Sequence, residues 1–202
     1  MAARLMVKRG GTDPKQILLA SQIVTTTERA TQILNDVLDV TLAAFGTDIP
    51  VVKAPMDMGR LAIQIVEELR IVSNGRDIEI SIVGETDGEW DKARIGQALS
   101  NLIGNALQYS PEYSVVHVTV AGQENNVLVT VHNNGDPILA GKIKVIFEAF
   151  TRGQRDAAPG RAANLGLALY ITKRIVLAHQ GEISAMSAVE AGTTFIVRLP
   201  RH

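Results

Sequence analysis

The sequence contains no cysteine, and this absence excludes several classes of function at once. A disulfide scaffold, a cysteine-ligated zinc or iron–sulfur site and thiol catalysis all need that residue. Aromatic residues make up only 4% of the 202 positions, and no apolar run approaches the roughly 18 residues that cross a bilayer. We therefore expect a segment that makes no membrane contact. The lack of cysteine suits a reducing compartment but does not by itself identify one.

An excess of charge of either sign is also missing. Lysine and arginine total 20 against 21 aspartates and glutamates, and no long run of one sign occurs. Proteins that bind the phosphate backbone of nucleic acids electrostatically carry strongly basic surfaces, so we expect no nucleic-acid partner. What the chain does have is apolar residues, at 46%, which is enough to build a core.

The first 46 residues differ in pattern from the rest. A short apolar helix is predicted at Ala3–Lys8, followed by a turn at Gly10–Pro14. From there to Phe45, apolar residues recur at spacings of three and four, which predicts one long helix with a single apolar stripe. We expect residues 1–47 to form part of an antiparallel helical hairpin that packs against a second chain. Docking of the stripe on the following domain is the alternative.

Residues 50–202 alternate between helical and strand patterns, with strands paired through hairpins. That order indicates an α+β fold, a two-layer sandwich of helices on a sheet. The long stretch between Phe150 and Leu165 has almost no apolar periodicity and is predicted to be a functional loop. The predicted helices lie at Met58–Val72, about Asp91–Tyr109 and Leu167–Ala178, and the predicted strands at Val51–Ala54, Ile78–Val83, Val115–Ala121, Asn126–His132, Glu182–Ser187 and Thr193–Leu199.

The helix predicted near Asp91–Tyr109 carries an unusual row of uncharged amides. Asn101, Asn105 and Gln108 follow one another at spacings of four and three residues and share one face. Exposed helix faces normally carry charged residues, and an amide oxygen can ligate Mg²⁺ while its nitrogen donates to a phosphate. An uncharged surface patch or helix-to-helix hydrogen bonding would explain the same row. The buried face of this helix is predicted to comprise Ile95, Leu99, Leu102 and Ala106.

Three further segments strengthen the phosphate interpretation. His132–Ile138 places amides beside a glycine turn at the end of a strand. Phe147–Gly153 puts two aromatic rings at the start of the long loop, and Asn164–Leu169 opens a helix behind it. The free N–H groups at a helix start favour a bound phosphate. Each segment is a weak indication alone, and their order along the chain is what gives them weight.

Taken together, these motifs resemble the ATP-binding catalytic domain of sensor histidine kinases, a branch of the GHKL ATPase superfamily. The resemblance covers about Pro50–Arg201 and implies the Bergerat fold. The residues before it resemble the back half of the family's dimerisation and phosphoacceptor hairpin. The matching motifs are NLIGNALQYS as the N box, NNGDPI as the first Gly box, FEAFTRG as the F box, NLGLAL as the second Gly box and AGTTFIVRLP as the closing signature.

The resemblance implies ATP and Mg²⁺ as cofactors. It assigns Asn105 to the metal, Asn101 to the phosphates and Tyr109 to the adenine. It implies that Asn133 and Gly135 contact the adenine, with Thr193 or Thr194 behind it, and that Ile138, Phe147 and Phe150 surround the pocket. Near the phosphates it implies Gln108, where the family often has a cation, and Leu165. It also implies that the backbone N–H groups of Gly166 and Leu167 face the phosphates.

Three positions depart from the family pattern. Asn133 replaces the usual aspartate, so its hydrogen bond to adenine loses the strengthening effect of a charge. Ala162 and Asn164 replace two glycines of the second Gly box. A neutral hydrogen bond contributes on the order of 1 kcal/mol, so we expect modest rather than abolished ATP affinity.

The reaction that the resemblance implies is transfer of the ATP γ-phosphoryl group to a histidine, followed by relay to the receiver domain of a response regulator. The four histidines are His117, His132, His179 and His202, and none lies in the first 46 residues. The phosphoacceptor is thus absent from this chain, no catalytic residue is assigned, and we expect no autophosphorylation of these residues alone. They would be the cytoplasmic part of a larger sensor that forms a homodimer through the hairpin.

Two other functions compete with this interpretation. A degenerate domain could act only as a dimerisation or docking scaffold, which the substitutions at Asn133, Ala162 and Asn164 slightly favour. Another GHKL ATPase, such as an anti-sigma serine kinase or a gyrase-like enzyme, would share the motifs. The long helix before Gly46 and the closing AGTTFIVRLP favour the sensor kinase over that last alternative.

Overall fold

The computed structural model describes residues 19, 20, 23, 26, 27, 31, 34, 37–41, 48–73, 75–151 and 166–202. The chain divides into two compact units, Met1–Phe45 and Gly46–His202. In the first unit every described residue is helical, which agrees with the helix predicted from the apolar spacing. The short helix predicted at Ala3–Lys8 lies outside the described residues. No helix in the described ranges is long and apolar enough to cross a membrane.

The second unit contains the helices and strands that position the candidate site. Most predicted elements are confirmed to within two residues at either end. The described elements are β1 (Ala54–Asp57), α1 (Met58–Val72), β2 (Ile78–Val83), β3 (Asp87–Trp90), α2 (Lys92–Tyr109), β4 (Val116–Gly122), β5 (Asn126–Asn133), α3 (Ala140–Ile143), α4 (Ala168–Ala178), β6 (Glu182–Ala188) and β7 (Gly192–Pro200).

The strand predicted at Val51–Ala54 is wrong. The strand here is β1, which begins at Ala54 and pairs antiparallel with β3 in a separate two-stranded sheet. Strand β3 and the one-turn helix α3 were not predicted. Both β1 and β3 are four residues long and lack apolar alternation, so their hydrogen bonds to each other, rather than a burial pattern, define them.

The main sheet has five strands in the order β2-β4-β5-β7-β6. Strands β2 and β4 are parallel, and the other neighbours are antiparallel. Alternate residues of β4 and β5 are buried, because α1, α2 and α4 form a second layer over one face of the sheet. Each fully buried valine there contributes about 1.5–3 kcal/mol. The predicted two-layer α+β architecture is confirmed.

Candidate functional site

Helix α2 carries the amide row that the sequence singles out. Its first turn is capped by Asp91, whose Oδ1 accepts hydrogen bonds from the backbone N–H groups of Ala93 and Arg94 at 3.0 and 3.1 Å. The predicted apolar face is confirmed, and it leaves the three amide side chains partly exposed. The buried residues are Ile95, Ala98, Leu99, Leu102, Ile103 and Ala106.

The amide row faces the start of α4. Asn101 donates from Nδ2 to the carbonyl oxygen of Ala168 at 3.2 Å, with the hydroxyl of Thr172 3.5 Å away. This is the helix-to-helix hydrogen bond that was the alternative explanation of the row, and it ties α2 to the first turn of α4. Asn105, one turn further along, forms no side-chain hydrogen bond within the described ranges. Gln108 and Tyr109 are partly buried at the end of α2.

A second connection joins α2 and α4 at their opposite ends. The backbone N–H of Asp91 donates to Nε2 of His179 at 3.0 Å, and Nδ1 of His179 bonds to the carbonyl oxygen of Ile175 at 2.8 Å. Because Nε2 accepts, the proton of the neutral ring sits on Nδ1 and is donated to Ile175. Oδ2 of Asp91 also accepts from the N–H of Val52 at 2.9 Å, which brings in the segment before β1.

The electrostatics of this connection keep the imidazole neutral and the carboxylate charged. Burial lowers the pKa of His179 from its ordinary 6.5, and nearby Lys53 adds to the decrease, although the hydrogen bond to Ile175 and the charge of Asp91 oppose it. Burial alone would raise the pKa of Asp91, but three backbone N–H donors outweigh it and lower that pKa. The sequence analysis places Asp91 only at the start of the predicted helix and gives no signal for its cap or for its bond to His179.

The end of β5 places Asn133 inside the protein. Its side chain is only 3% exposed, and Nδ2 donates to the carbonyl oxygen of Asn134 at 3.3 Å. Thr193 of β7 lies directly opposite Asn133 in the sheet and is also buried. Its hydroxyl bonds to Ser187 of β6 at 2.7 Å, and Ser187 in turn accepts from the backbone N–H of Ile138 at 2.9 Å. The sequence analysis missed this contribution of Ser187.

The two candidate threonines lie on opposite faces of the sheet. Successive strand residues alternate in direction, so only Thr193 shares the helix-covered face with Asn133. Thr194 lies opposite His132 and bonds to its Nδ1 at 2.9 Å on the other face. The alternation therefore separates Thr194 from the amide row.

Gly135 brings the first Gly box against α2. A Cβ atom at this position would lie 2.4 Å from the carbonyl oxygen of Tyr109, well inside van der Waals contact. The absence of a side chain thus allows the turn after β5 to touch the end of α2. The contact draws Asn133 and the amide row into one region of the unit.

The two F-box aromatics have different surroundings. Phe147 is buried and packs edge-on against Phe195 of β7, with ring centroids 6.4 Å apart. Phe150 is 66% exposed and has a left-handed backbone, with φ of 62°. Phe147 therefore belongs to the core beside the site, whereas Phe150 is available at the surface.

Thr151 and Gly166, the described residues on either side of positions 152–165, lie against each other. Gly166 has a φ of +69°, and a Cβ there would lie 2.5 Å from the carbonyl oxygen of Thr151. Leu167 is buried next to it and precedes α4, whose first N–H groups receive no side-chain cap from Leu167. Leu165 and the substitutions at Ala162 and Asn164 lie outside the described residues, as does most of the loop predicted between Phe150 and Leu165.

A separate cleft of about 620 Å³ lies away from these residues, between the two-stranded sheet and the end of the chain. None of the predicted site residues lines it. Its walls are formed by Pro55, Met56, Asp57, Arg60, Asp87, Gly88, Glu89, Arg201 and His202. The amide row, the buried Asn133 and the start of α4 therefore lie outside this cleft.

Comparison with known proteins gives a consistent result. Residues 90–202 match the family described as histidine kinase-, DNA gyrase B-, and HSP90-like ATPase. The probable sensor histidine kinase TcrY of Mycobacterium tuberculosis is 30% identical over 197 residues, which are 96% of this chain and 41% of that protein. The chain thus spans about two fifths of this relative's length.

Two solved structures are similar in fold as well as in sequence. Full-length ShkA, determined in complex with AMPPNP, matches 98% of this chain and 41% of its own with a TM-score of 0.71 and 25% identity. The mycobacterial sensor histidine kinase MprB matches 74% of this chain and 97% of its own with a TM-score of 0.63 and 26% identity.

Proposed function

The chain belongs to the family of histidine kinase-, DNA gyrase B- and HSP90-like ATPases, and we propose that it is the catalytic part of a sensor histidine kinase, which transfers the γ-phosphoryl group of Mg-ATP to a histidine. The observation that carries the proposal is the convergence of α2, the β5 end and the α4 start on one region. TcrY and MprB are sensor histidine kinases by name, and ShkA was solved with an ATP analogue.

We assign the metal and the phosphates to the region between Asn105 of α2 and the start of α4. Asn105 supplies an amide oxygen for Mg²⁺, since no hydrogen bond occupies its side chain within the described ranges. In those same ranges no three histidine, aspartate or glutamate side chains gather as ligands. Phosphate and water oxygens would therefore complete the shell, and bound Mg²⁺ would neutralise charge on the transferring phosphoryl group.

Asn101 takes a supporting role in this arrangement. Its Nδ2 already donates to Ala168, so it holds the α4 start in place and contributes to phosphate binding chiefly through that position. The N–H groups of Gly166 and Leu167 then face the phosphates, as the resemblance implies. Leu165, Phe150 and Gln108 remain proposed contacts at the edge of the site.

Adenine is assigned to the β5 end. Asn133 would accept from the adenine amino group through Oδ1, because its Nδ2 donates to Asn134. Thr193 supports this contact in preference to Thr194, since it lies on the same face of the sheet as Asn133. Tyr109, Ile138 and the buried Phe147 would border the base.

Calorimetry with ATP and Mg²⁺ tests the site. Asn105→Ala is expected to lose most of the Mg²⁺-dependent affinity, at least tenfold, while Asn125→Ala removes an exposed amide from the β4–β5 turn and serves as the matched control. Equal affinity and metal dependence for the two variants would reject the assignment. A complete absence of ATP binding by the unaltered chain would instead favour a docking scaffold.

The dimer is proposed from the first unit. Four leucine and isoleucine side chains recur on one side of its helix and are each more than half exposed in the single chain: Leu19, Ile23, Leu34 and Leu38. Such a stripe favours a second copy as partner. Analytical ultracentrifugation should show a dimer that Leu34→Glu with Leu38→Glu converts to monomer. Val52→Glu with Tyr113→Glu adds the same charge at exposed apolar residues outside the stripe and should leave the dimer intact.

The phosphoacceptor is proposed to lie outside these residues, as does the receiver domain of the response regulator that takes the phosphoryl group onward. We expect these 202 residues alone not to phosphorylate themselves, because all four histidines occur at position 117 or later. Mass spectrometry after incubation with Mg-ATP tests this, and an acid-labile phosphate on any of the four histidines would contradict it.

A further inference from the structure

Two histidines lie side by side on the face of the sheet that α1, α2 and α4 do not cover. His117 of β4 and His132 of β5 are direct cross-strand partners, with ring centroids 6.1 Å apart and ring planes tilted by 32°. Their neighbours Val116, Val118 and Val131 point into the core, so strand alternation directs both rings outward. The side chain of His117 is 45% exposed, and His132 is partly exposed.

Each ring is oriented by a polar neighbour in the same row across the sheet. Nδ1 of His117 lies 3.1 Å from Oε2 of Glu79 on β2, and Nδ1 of His132 lies 2.9 Å from the hydroxyl of Thr194 on β7. When Nδ1 carries the proton and donates to these oxygens, Nε2 keeps its lone pair. A histidine that donates one ring N–H to a carboxylate or other oxygen is the arrangement found behind metal-bound imidazoles.

We propose that His117 and His132 form a binding site for a first-row divalent transition metal ion, of the kind that imidazole ligates, such as Zn²⁺ or Ni²⁺. A metal–nitrogen bond of about 2.1 Å puts each ring centroid about 3.2 Å from the ion, so two rings on one ion lie about 5.2 Å apart at a tetrahedral angle and at most about 6.4 Å. The observed 6.1 Å corresponds to a nitrogen–metal–nitrogen angle of about 145°, so a tetrahedral ion requires the two ring centroids to approach by about 0.9 Å, which small side-chain rotations of these partly exposed rings supply.

Two protein ligands leave the rest of the coordination shell to water. No third histidine or carboxylate joins the pair as a ligand in the described parts of the chain, and Glu79 already bonds to His117. The ion would link the β4–β5 pair near the middle of the five-stranded sheet. His132 and Thr194 directly adjoin Asn133 and Thr193 but face the other way, so this site does not depend on the proposed nucleotide site.

Titration of the 202-residue chain with ZnCl2, in a buffer that does not bind metal and without nucleotide, tests the proposal. Calorimetry should show one site that His117→Ala and His132→Ala each weaken at least tenfold. Glu79→Gln and Thr194→Val are expected to weaken it by about tenfold, because they alter the groups behind the ligands. His202→Ala is the control, since it removes a histidine outside the pair.

Nuclear magnetic resonance of the unaltered chain gives an answer even if a variant folds poorly. Addition of ZnCl2 should shift the Nε2 signals of His117 and His132 together, at one equivalent of metal, and raise the thermal unfolding midpoint. Signals that shift only at His202, or affinities for His117→Ala and His132→Ala that match the unaltered chain, would overturn the proposal.

Discussion

The two ends of the α2–α4 pair have opposite characters. At one end, the buried His179 and the helix cap Asp91 use their polar atoms in hydrogen bonds to each other and to Ile175 and Val52. At the other end, Asn105 has no such bond within the described ranges, and Leu167 supplies no side-chain cap to the first turn of α4. Polar groups satisfied within the protein stabilise it, and those left open can bind a polar ligand.

The largest loss of stability is expected from removing the imidazole of His179. We call the end of the α2–α4 pair that contains Asp91 and His179 the closed end, and the end that contains Asn105 and the start of α4 the open end. His179→Ala leaves a cavity and strands the N–H of Asp91, while the carbonyl of Ile175 keeps only the backbone N–H of residue 179, so we expect a loss of about 2–4 kcal/mol in the free energy of unfolding. Urea denaturation measures it, with His202→Ala as a control that should change little. Equal stability of the two variants would show that the hydrogen bonds of His179 do not contribute to the free energy of unfolding.

A smaller loss of stability is expected at the contact between Gly135, which follows β5, and Tyr109 at the end of α2. The Cβ of Gly135→Ala would clash with the carbonyl oxygen of Tyr109, so the turn and α2 must separate, at a cost of about 1–3 kcal/mol. Gly141→Ala is the matched control, because a Cβ there meets nothing within 4 Å. Calorimetry should also show weaker ATP binding for the first variant only, and unchanged binding and stability would refute the close contact.

The pH dependence of stability sharpens the comparison further. The folded-state pKa of His179 lies below the 6.5 of the unfolded chain, so its contribution is complete above pH 6.5 and is lost as the pH falls toward the folded value. The lowered pKa values of Asp91 and Asp57 add a second loss below about pH 3.8. Urea denaturation at pH 7.5, 6.0 and 5.0 should show the first decline, and His179→Gln should flatten it. A decline that persists unchanged in that variant would assign it to other groups.

The smallest stability change is expected from the amide that joins the two helices. Asn101→Ala removes the single hydrogen bond to Ala168 from a partly exposed side chain, which corresponds to about 0.5–1.5 kcal/mol. ATP affinity should fall more than stability does, since the start of α4 loses its connection to α2. A variant that loses stability yet binds ATP normally would confine Asn101 to a structural role.

Regular elements with a clear apolar pattern could be predicted well. The apolar face of α2 repeats at helical spacing from Ile95 to Ala106, and β5 alternates along its length, so burial on one side follows from the residues themselves. The fold class followed from the order of these elements, whereas the four motifs were identified by their resemblance to the sensor histidine kinase family. Strand β3 could not, because Trp90 is buried by contacts distant in sequence, including a 2.8 Å bond from its Nε1 to the carbonyl oxygen of Pro200.

Several features of the site depended on contacts between elements. Which of Thr193 and Thr194 shares the face of Asn133 was undecided until the register of β7 against β5 was known. The bond from Asn101 to Ala168 spans 67 positions of the sequence, and that between Asp91 and His179 spans 88. No local pattern encodes such pairs.

The amino-acid sequence by itself determined the periodic helices and strands, the two-layer class and the family, because apolar spacing and short motifs are local properties of the chain. Only the tertiary structure decided which amide is held by α4, which threonine shares the face of Asn133, and which two histidines lie together on the face of the sheet that α1, α2 and α4 do not cover. Those choices follow from sheet register and helix packing, in which residues far apart along the chain must satisfy one another's hydrogen bonds and volumes at the same time.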